Sequence, residues 1–232
     1  MTDVSVVVPT YNEEENIEDF LHEVKTELES YDLEIIIVDD SEDNTPSIIR
    51  ENYEDDSEIN LIERDDAKGI GSAYKKGFSI AEGDKLVQMD ADFSHQPKYI
   101  EDLLEALESC DIAVGSRYVD GGDRNDPVYR RINPLIGSYL YRYALGSPVN
   151  DVTSGFKAYR HETVRKLPDE LPDGFHFQAA SLMSLVEQGA NVEEVPIDFR
   201  PRRAGEPKYS LEDFMDNVFL LLKLFKSKRL ER

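Results

Sequence analysis

The sequence contains no tryptophan, a single cysteine and no long apolar run. Because Cys110 has no second cysteine to pair with, an intramolecular disulfide is excluded, and its place at the start of an apolar segment favours a small buried side chain. The longest apolar run near a terminus covers residues 218–222, far short of the roughly 18 residues that cross a bilayer. We therefore expect a cytoplasmic protein with neither a signal peptide nor a transmembrane helix.

Basic residues are also scarce: the chain has 26 of them and 49 acidic residues, so the net charge is -23. This excess is spread along the chain and disfavours nucleic acid as a partner. Salt screens the repulsion within such a surface, so we expect a high-salt cytoplasm such as that of a halophilic archaeon. Only residues 201–232 reverse the balance, with eight basic and five acidic residues.

A hydrophobic content of 40% and the absence of a linker predict one domain over residues 1–232. Short apolar runs alternate with helical patterns, and the runs cover residues 4–8, 33–38, 59–62, 86–89 and 112–114. Continuous apolar strands between amphipathic helices predict an α/β fold whose mostly parallel sheet is covered on both faces. The rhythm changes after Gly115, which divides the chain into residues 1–115, residues 116–209 and a C-terminal segment, residues 210–232.

Polar residues follow four of the predicted strands, where open α/β sheets bind their ligands. The four segments are residues 9–13, 39–41, 90–92 and 115–117. Asp90 and Asp92 would direct two hard oxygen ligands at a divalent cation that holds a pyrophosphate. A solvated turn is the alternative in so acidic a chain, although unpaired carboxylates beside a core are costly.

A glycine pair, Gly69 and Gly71, precedes the third predicted helix and would permit a close backbone approach to a ligand. Tyr74 stands where a dinucleotide fingerprint has its third glycine, so a Rossmann dehydrogenase is poorly supported. A turn with helix capping explains the pair equally well. The chain also lacks a Gly-Lys-Ser/Thr phosphate loop.

Seven segments in order resemble the dolichyl-phosphate mannose synthase group of glycosyltransferase family 2. They are VVVPTYNEEENI, IIIVDDSEDNT, KGIGSAYKKGF, MDADFSHQP, GSRYVDGG, DVTSGFKAYR and PIDFRPRRAGEPKYS. The resemblance covers nearly the whole chain, and its last two segments are typical of the branch that uses polyprenyl phosphates. It implies a GT-A fold, an inverting reaction, a nucleotide-sugar-binding half at residues 1–115 and an acceptor half at residues 116–209.

The same resemblance implies roles for individual residues. A nucleotide-sugar donor, GDP-mannose or UDP-glucose, would be bound by Pro9, Tyr11, Glu13, Asp39, Asp40, Asp90 and Ala91. Asp90 and Asp92 would hold Mg2+ or Mn2+ on the diphosphate. Catalysis would depend on Asp92 and on cations that meet the phosphates of donor and acceptor, namely Arg117, Arg131 and Arg202. Guanidinium groups suit this work because they fork onto phosphate oxygens and stay charged, although surface ion pairing is the alternative for each.

Two departures from the family pattern concern Lys208, which follows Pro207 where serine is common, and Ser41-Glu42, which replace Gly-Ser. The stretch from Ser94 to Pro97 fits the mannose-type branch better than the glucose-type branch, and His95 caps the following helix in the alternative interpretation. The absence of tryptophan excludes the Gln-x-x-Arg-Trp motif of processive synthases. A dolichyl-phosphate glucose synthase and a non-catalytic nucleotide-binding scaffold stay open as alternatives.

The C-terminal segment predicts a helix that docks on the cytoplasmic face of a membrane. Its apolar residues at helical spacing are Phe214, Val218, Leu221, Leu222 and Phe225, and basic residues follow at Lys226, Lys228, Arg229 and Arg232. A tyrosine-rich helix at residues 135–145 would supply a second interfacial surface. Packing of either helix on its own domain is the alternative. We also expect Arg117 and Arg131 to be reachable from solvent, as phosphate-binding arginines should be.

Overall fold

A computed structural model describes residues 2–65, 69–124 and 147–204 of the chain. The strands of these residues are β1 (Val4–Thr10), β2 (Leu33–Asp39), β3 (Ile59–Glu63), β4 (Lys85–Gln88), β5 (Ile112–Ser116), β6 (Asp123–Arg124), β7 (Lys157–Arg160), β8 (Val192–Pro196) and β9 (Asp198–Phe199). The helices are α1 (Ile17–Glu27), α2 (Thr45–Tyr53), α3 (Ile70–Ile80), α4 (Ile100–Ala106), α5 (His161–Val164) and α6 (Phe177–Glu187). A 3₁₀ turn at Pro97–Tyr99 leads into α4.

Seven strands form one sheet in the order β3-β2-β1-β4-β7-β5-β8, and β6 pairs with β9 beside it. All neighbours in the large sheet are parallel except β7, which runs antiparallel to both β4 and β5. The predicted α/β fold with a mostly parallel sheet is confirmed.

Helices cover both faces of this sheet because successive side chains of a buried strand point to opposite sides. Val6 and Val8 of β1 face a core layer that includes residues of α1 and α4. Val7, between them, faces a second layer built with α3 and α6. Both layers are buried, which is why the strands read as continuous apolar runs.

The antiparallel strand β7 is the main feature of the fold that the sequence did not predict. It has only four residues, and two of them, Lys157 and Arg160, are basic. Its partners come from distant parts of the chain, since Ala158 pairs with Val87 on one side and with Ala113 on the other. Tertiary pairing rather than local pattern therefore creates the strand.

Several predictions lie outside the described residues: Arg131, the helix at residues 135–145, Lys208 and the C-terminal segment. Within residues 2–65, 69–124 and 147–204, none of the helices combines the length and the apolar character that crossing a membrane requires.

Candidate active site

The carboxyl ends of β1, β2 and β4 meet at one edge of the sheet, where the predicted donor residues lie. Strand β1 stands between the other two, with Thr10 opposite Asp39 and Val7 opposite Gln88. The polar segments that follow these strands are therefore neighbours. The edge also carries the two non-glycine residues with positive φ among those described, Asn12 at 54° and Phe93 at 60°. Such conformations are uncommon and cluster at functional sites.

Asp39 is almost wholly buried, with 2% of its surface exposed. Its Oδ1 accepts hydrogen bonds from the hydroxyls of Thr10 and Ser41, both at 2.6 Å. The amide of Ser41 donates to Oδ2 at 3.2 Å. Asp39 thus ties the ends of β1 and β2 together and gives Ser41 a defined place beside the site.

Asp40 is held by an arginine that the sequence analysis did not single out. The Nε of Arg64 donates to Asp40 Oδ1 at 2.7 Å, and a second guanidinium nitrogen donates to Oδ2. The same guanidinium reaches the hydroxyl of Ser72, in the first turn of α3, at 2.5 Å. Because Arg64 directly follows β3, inspection of that strand end would have pointed to it.

Arg202 joins two of the predicted site carboxylates. Its guanidinium lies 3.1 Å from Glu13 Oε1 and 2.9 Å from Asp92 Oδ2. Only 4% of the Glu13 side chain is exposed, and its Oε2 accepts a hydrogen bond from Asn16 at 2.8 Å. Burial lowers the pKa of Arg202, but Asp92 and Glu13 outweigh that effect and the net pKa lies above its ordinary value. The arginine is therefore a fixed positive charge between these carboxylates.

The turn after β4 holds Asp92 in its charged form. Ser94 donates to Asp92 Oδ1 from its amide at 2.9 Å and from its hydroxyl at 2.5 Å. Burial alone would raise the pKa of Asp92, but the charge of Arg202 and the Ser94 hydrogen bonds bring it below its ordinary value.

Asp90 has the opposite character. Its side chain is 28% exposed, and its Oδ1 accepts a hydrogen bond from the hydroxyl of Tyr74 at 2.9 Å. The protein atoms crowded around the carboxylate, and then the nearby charge of Asp92, raise the pKa of Asp90 to about 7. A cation bound beside Asp90, in addition to the nearby Arg202, would favour the ionised form of the Asp90 carboxyl.

The pair fits a hard divalent cation such as Mg2+ or Mn2+. It offers carboxylate oxygens, the ligands that hard divalent cations prefer. Gly155 puts no side chain beside this carboxylate, where an added Cβ would lie 3.2 Å from Asp90 Oδ2. In the described part of the chain, no group of three His, Cys, Asp or Glu side chains is arranged to hold a metal.

The remaining predicted donor residues differ in exposure. Tyr11, directly after β1, is 40% exposed, and Pro9 within β1 is partly buried. Ala91, between the paired aspartates, is only 1% exposed.

Arg117 does not lie open to solvent as the sequence led us to expect. Its side chain is 7% exposed and forms a bidentate pair with Asp151, which is fully buried. Nε and one terminal nitrogen of the guanidinium each donate to an Asp151 oxygen at 2.6 Å, and the latter nitrogen also reaches Thr153 at 3.3 Å. The ring of Phe199 lies 5.0 Å below the guanidinium carbon. The partner was missed because Asp151 follows 34 residues later in the chain.

The alternative interpretation of His95 as a helix cap is wrong. The turn that leads into α4 has Gln96 at its N-cap, with no side-chain hydrogen bond. His95 is 3% exposed, and neither ring nitrogen has a hydrogen-bond partner among the described residues. Its ring packs against Phe156 and Phe199, with Nδ1 3.8 Å from Asp90 Oδ2. Burial lowers the pKa of His95 to about 4, so the ring is neutral at pH 7.

Comparison with known proteins identifies the family. The sequence profile described as Glycosyl transferase family 2 matches residues 5–167, which include β1 to β5, the paired aspartates and β7. This chain belongs to glycosyl transferase family 2. It is therefore a glycosyltransferase, as its resemblance implied.

Several similar proteins are named for polyprenyl-phosphate mannose transfer. A dolichol-phosphate mannosyltransferase of Pyrococcus furiosus is 36% identical over 230 residues, 95% of this chain and 64% of that protein. An undecaprenyl-phosphate mannosyltransferase of Micrococcus luteus is 36% identical over 89% of this chain and 87% of that protein. A polyprenol monophosphomannose synthase of Mycolicibacterium smegmatis is 35% identical over 92% of this chain and 83% of that protein. The chain thus spans less than two thirds of the Pyrococcus protein.

Solved structures with a similar fold include glucosyl-3-phosphoglycerate synthase from Mycobacterium tuberculosis. One of its structures, in complex with Mn2+, UDP and glucosyl-3-phosphoglycerate, has a TM-score of 0.70 and 19% identity and covers 97% of this chain and 79% of that one. Another, with Mn2+, UDP and phosphoglyceric acid, has a TM-score of 0.72 at 19% identity, with 97% of this chain and 78% of that one covered. At such identity the likeness shows the shared fold.

Proposed function

We propose that this protein transfers mannose from GDP-mannose to dolichyl or another polyprenyl phosphate, with inversion at the sugar, and so makes a lipid-linked donor for glycosylation. The observation that carries the proposal is the pair Asp90 and Asp92 beside Arg202 at the carboxyl edge of the sheet. Its support from sequence is the likeness, over about nine tenths of the chain or more, to proteins named for this transfer.

The donor would lie across the ends of β1, β2 and β4. Its nucleoside would contact Pro9 and Tyr11 on one side and Asp40 on the other, with Glu13, Asp39 and Ala91 shaping the site. Arg64 keeps Asp40 in place through its bidentate pair, so a hydroxyl or base amine would meet an oriented carboxylate. Residues 1–115 would thus form the nucleotide-sugar-binding half.

The diphosphate would lie against Asp90, Asp92 and Arg202, and the two aspartates would hold Mg2+ or Mn2+. When bound, the cation would neutralise charge on the leaving nucleotide diphosphate. Arg202 adds a guanidinium that Glu13 and Asp92 already position. Because this charge is oriented in advance, little reorganisation accompanies the reaction.

The acceptor side requires no general base in this proposal. The second pKa of a phosphate monoester is near 6, so its oxygen is largely anionic at pH 7. That oxygen attacks C1 of the sugar as the bond from C1 to the diphosphate breaks, and the nucleotide diphosphate leaves with the electron pair. Arg117 and Arg131 would bring the anionic acceptor close, and residues 116–209 would form the acceptor half. In this proposal, the bidentate pair with Asp151 would hold Arg117 in the orientation that the acceptor needs.

We further propose that the protein works peripherally, on the cytoplasmic face of a membrane. The C-terminal segment combines apolar residues at helical spacing with basic residues, and a basic residue near an anionic leaflet contributes about 1 kcal/mol. The acidic remainder suits a cytoplasm rich in salt, where its self-repulsion is screened.

A comparison of two sugar donors, GDP-mannose and UDP-glucose, tests the proposed donor. Purified protein is incubated with polyprenyl phosphate, Mg2+ and equal concentrations of labelled GDP-mannose or UDP-glucose, and label in the organic phase is counted. We expect the higher initial rate with GDP-mannose. A higher rate with UDP-glucose would make the protein a glucose transferase. If the folded protein neither transfers sugar nor hydrolyses either donor, the non-catalytic scaffold is favoured.

A further inference from the structure

A buried tyrosine stands directly behind the carboxylate of Asp90. Tyr74 belongs to α3 and is fully buried. Its ring stacks on Phe177 with centroids 5.9 Å apart and on Phe78 with centroids 6.0 Å apart. Packed against two rings that also contact each other at 6.4 Å, the phenol has little freedom to turn, and its hydroxyl donates to Asp90 Oδ1 at 2.9 Å.

The two oxygens of Asp90 therefore have different surroundings. Oδ1 is bound from within the protein by Tyr74, whereas Oδ2 lies beside Gly155 and His95. At Gly155 a side chain would crowd Oδ2, since an added Cβ would be 3.2 Å away. The hydroxyl thus fixes the rotation of the carboxylate and leaves Oδ2 as the oxygen that is not bound from behind.

The position of Tyr74 in α3 makes this reach possible. In a dinucleotide fingerprint the third glycine lets the helix approach the sheet closely. Here the close approach occurs three residues later at Gly77, where an added Cβ would lie 2.2 Å from Val7 Cγ1. Since Gly77 brings the helix against β1, Tyr74 can extend past the strand to the aspartate that follows β4.

We propose that Tyr74 is a positioning residue for the divalent cation, acting through the orientation of Asp90. The inference rests on the proposed function, which places a cation on Asp90 and Asp92. Partners that orient a metal ligand change metal affinity by about 10-fold to 100-fold when they are removed. Without the hydroxyl, the carboxylate would turn about its last torsion and lose this orientation when it meets the cation.

The test is a titration of the full chain with Mn2+. Electron paramagnetic resonance measures the concentration of free Mn2+ at each step of the titration. Tyr74→Phe keeps the ring packed against Phe78 and Phe177 and removes only the hydroxyl. We expect its Mn2+ affinity to fall by about 10-fold to 100-fold. Tyr159→Phe is the matched control, because Tyr159 is equally buried and its hydroxyl donates to Gln88 at 3.1 Å. Its affinity should stay within about twofold of the wild type.

A combined variant separates positioning from a general loss of structure. If the hydroxyl acts through Asp90, adding Tyr74→Phe to Asp90→Asn should change Mn2+ affinity by no more than about twofold. Wild-type affinity in Tyr74→Phe, together with a loss in Asp90→Asn, would overturn the role of Tyr74 and leave the metal site standing. A wild-type protein that binds no Mn2+ in the presence or absence of GDP would overturn the metal site and this inference together.

Discussion

Arg117 and Asp151 form a bidentate ion pair in which the aspartate is fully buried and the arginine is 7% exposed. The pair joins the end of β5 to the segment that leads into β7. Asp151 is itself anchored, because its amide donates to Glu194 at 3.0 Å. The arginine that the family resemblance assigns to a phosphate is thus part of the contact that joins these two segments.

Replacing Arg117 by alanine should destabilise the protein. It would leave the Asp151 carboxylate buried without its partner, which costs about 3–5 kcal/mol of the free energy of unfolding. Denaturant unfolding measures the loss. Arg50→Ala is the matched control, since the Arg50–Glu63 pair is 54% and 44% exposed on its two sides and should contribute about 0–1 kcal/mol. Equal losses in the two variants would contradict a structural role for the Arg117 pair.

The paired aspartates give a prediction on turnover. Asp92→Asn removes a charge that Arg202 and Ser94 hold in place, and transfer should fall by about a hundredfold or more. Initial rates with saturating Mg2+ or Mn2+ measure the effect, and chelation should abolish wild-type transfer. Glu101→Gln serves as the control, because it removes the charge of an exposed acidic residue in α4. Full turnover by Asp92→Asn without added metal would refute the assignment.

Lys157 predicts a pH dependence of stability. Burial lowers the pKa of its ammonium to about 7 from 10.5, despite the opposing charges of Asp151 and Asp90. Between these values the unfolded chain binds a proton that the folded chain lacks, so this lysine favours folding increasingly as the pH rises. Its contribution is complete above 10.5 and is lost as the pH falls through 7.

The lysine is isolated by comparing wild type with Lys157→Met. Between pH 7 and 10, the free energy of unfolding of the wild type minus that of the variant should increase by up to about 1.4 kcal/mol per pH unit. Removing the ammonium also removes its hydrogen bond to the carbonyl of Gln178, a cost that changes little with pH. Urea unfolding at several pH values gives both curves. A constant gap would mean that Lys157 keeps the same proton affinity on folding.

Deleting the C-terminal segment tests the membrane proposal. If residues 210–232 dock on a bilayer, the truncated protein should no longer sediment with anionic liposomes, while its affinity for GDP stays unchanged. Molar salt should weaken binding of the full chain through its basic groups, although the apolar contribution should persist. A folded truncation that still binds liposomes and glycosylates long-chain polyprenyl phosphate would exclude the segment from the mechanism.

The sequence predicted those parts of the fold and site that follow from local pattern. Apolar runs located the parallel strands, and the rule that ligands bind beyond strand ends pointed to Asp39, Asp40, Asp90 and Asp92. The structure joins Asp92 to Glu13 through Arg202, and Asp90 lies near Asp92. The predicted roles of these residues in binding stay predictions.

What the sequence did not predict depends on contacts between distant residues. Strand β7 exists because β4 and β5 leave a place between them, and Lys157 within it obscured the apolar pattern. Arg64 pairs with a residue 24 positions earlier, and Tyr74 with one 16 positions later. No periodicity in a single sequence marks such partners, which is also why Arg117 was expected at the surface.

The most direct measurement of the proposed reaction is the product formed from sugar-labelled GDP-mannose, polyprenyl phosphate and Mg2+. The lipid fraction is extracted, and the anomeric configuration of the labelled mannosyl phosphate is determined by nuclear magnetic resonance. Since the donor is α-linked, direct attack by the phosphate oxygen predicts a β-linked mannosyl phosphate whose formation stops on chelation. An α-linked product would contradict the single inverting step, and the absence of any labelled lipid from folded, full-length protein would contradict the transfer itself.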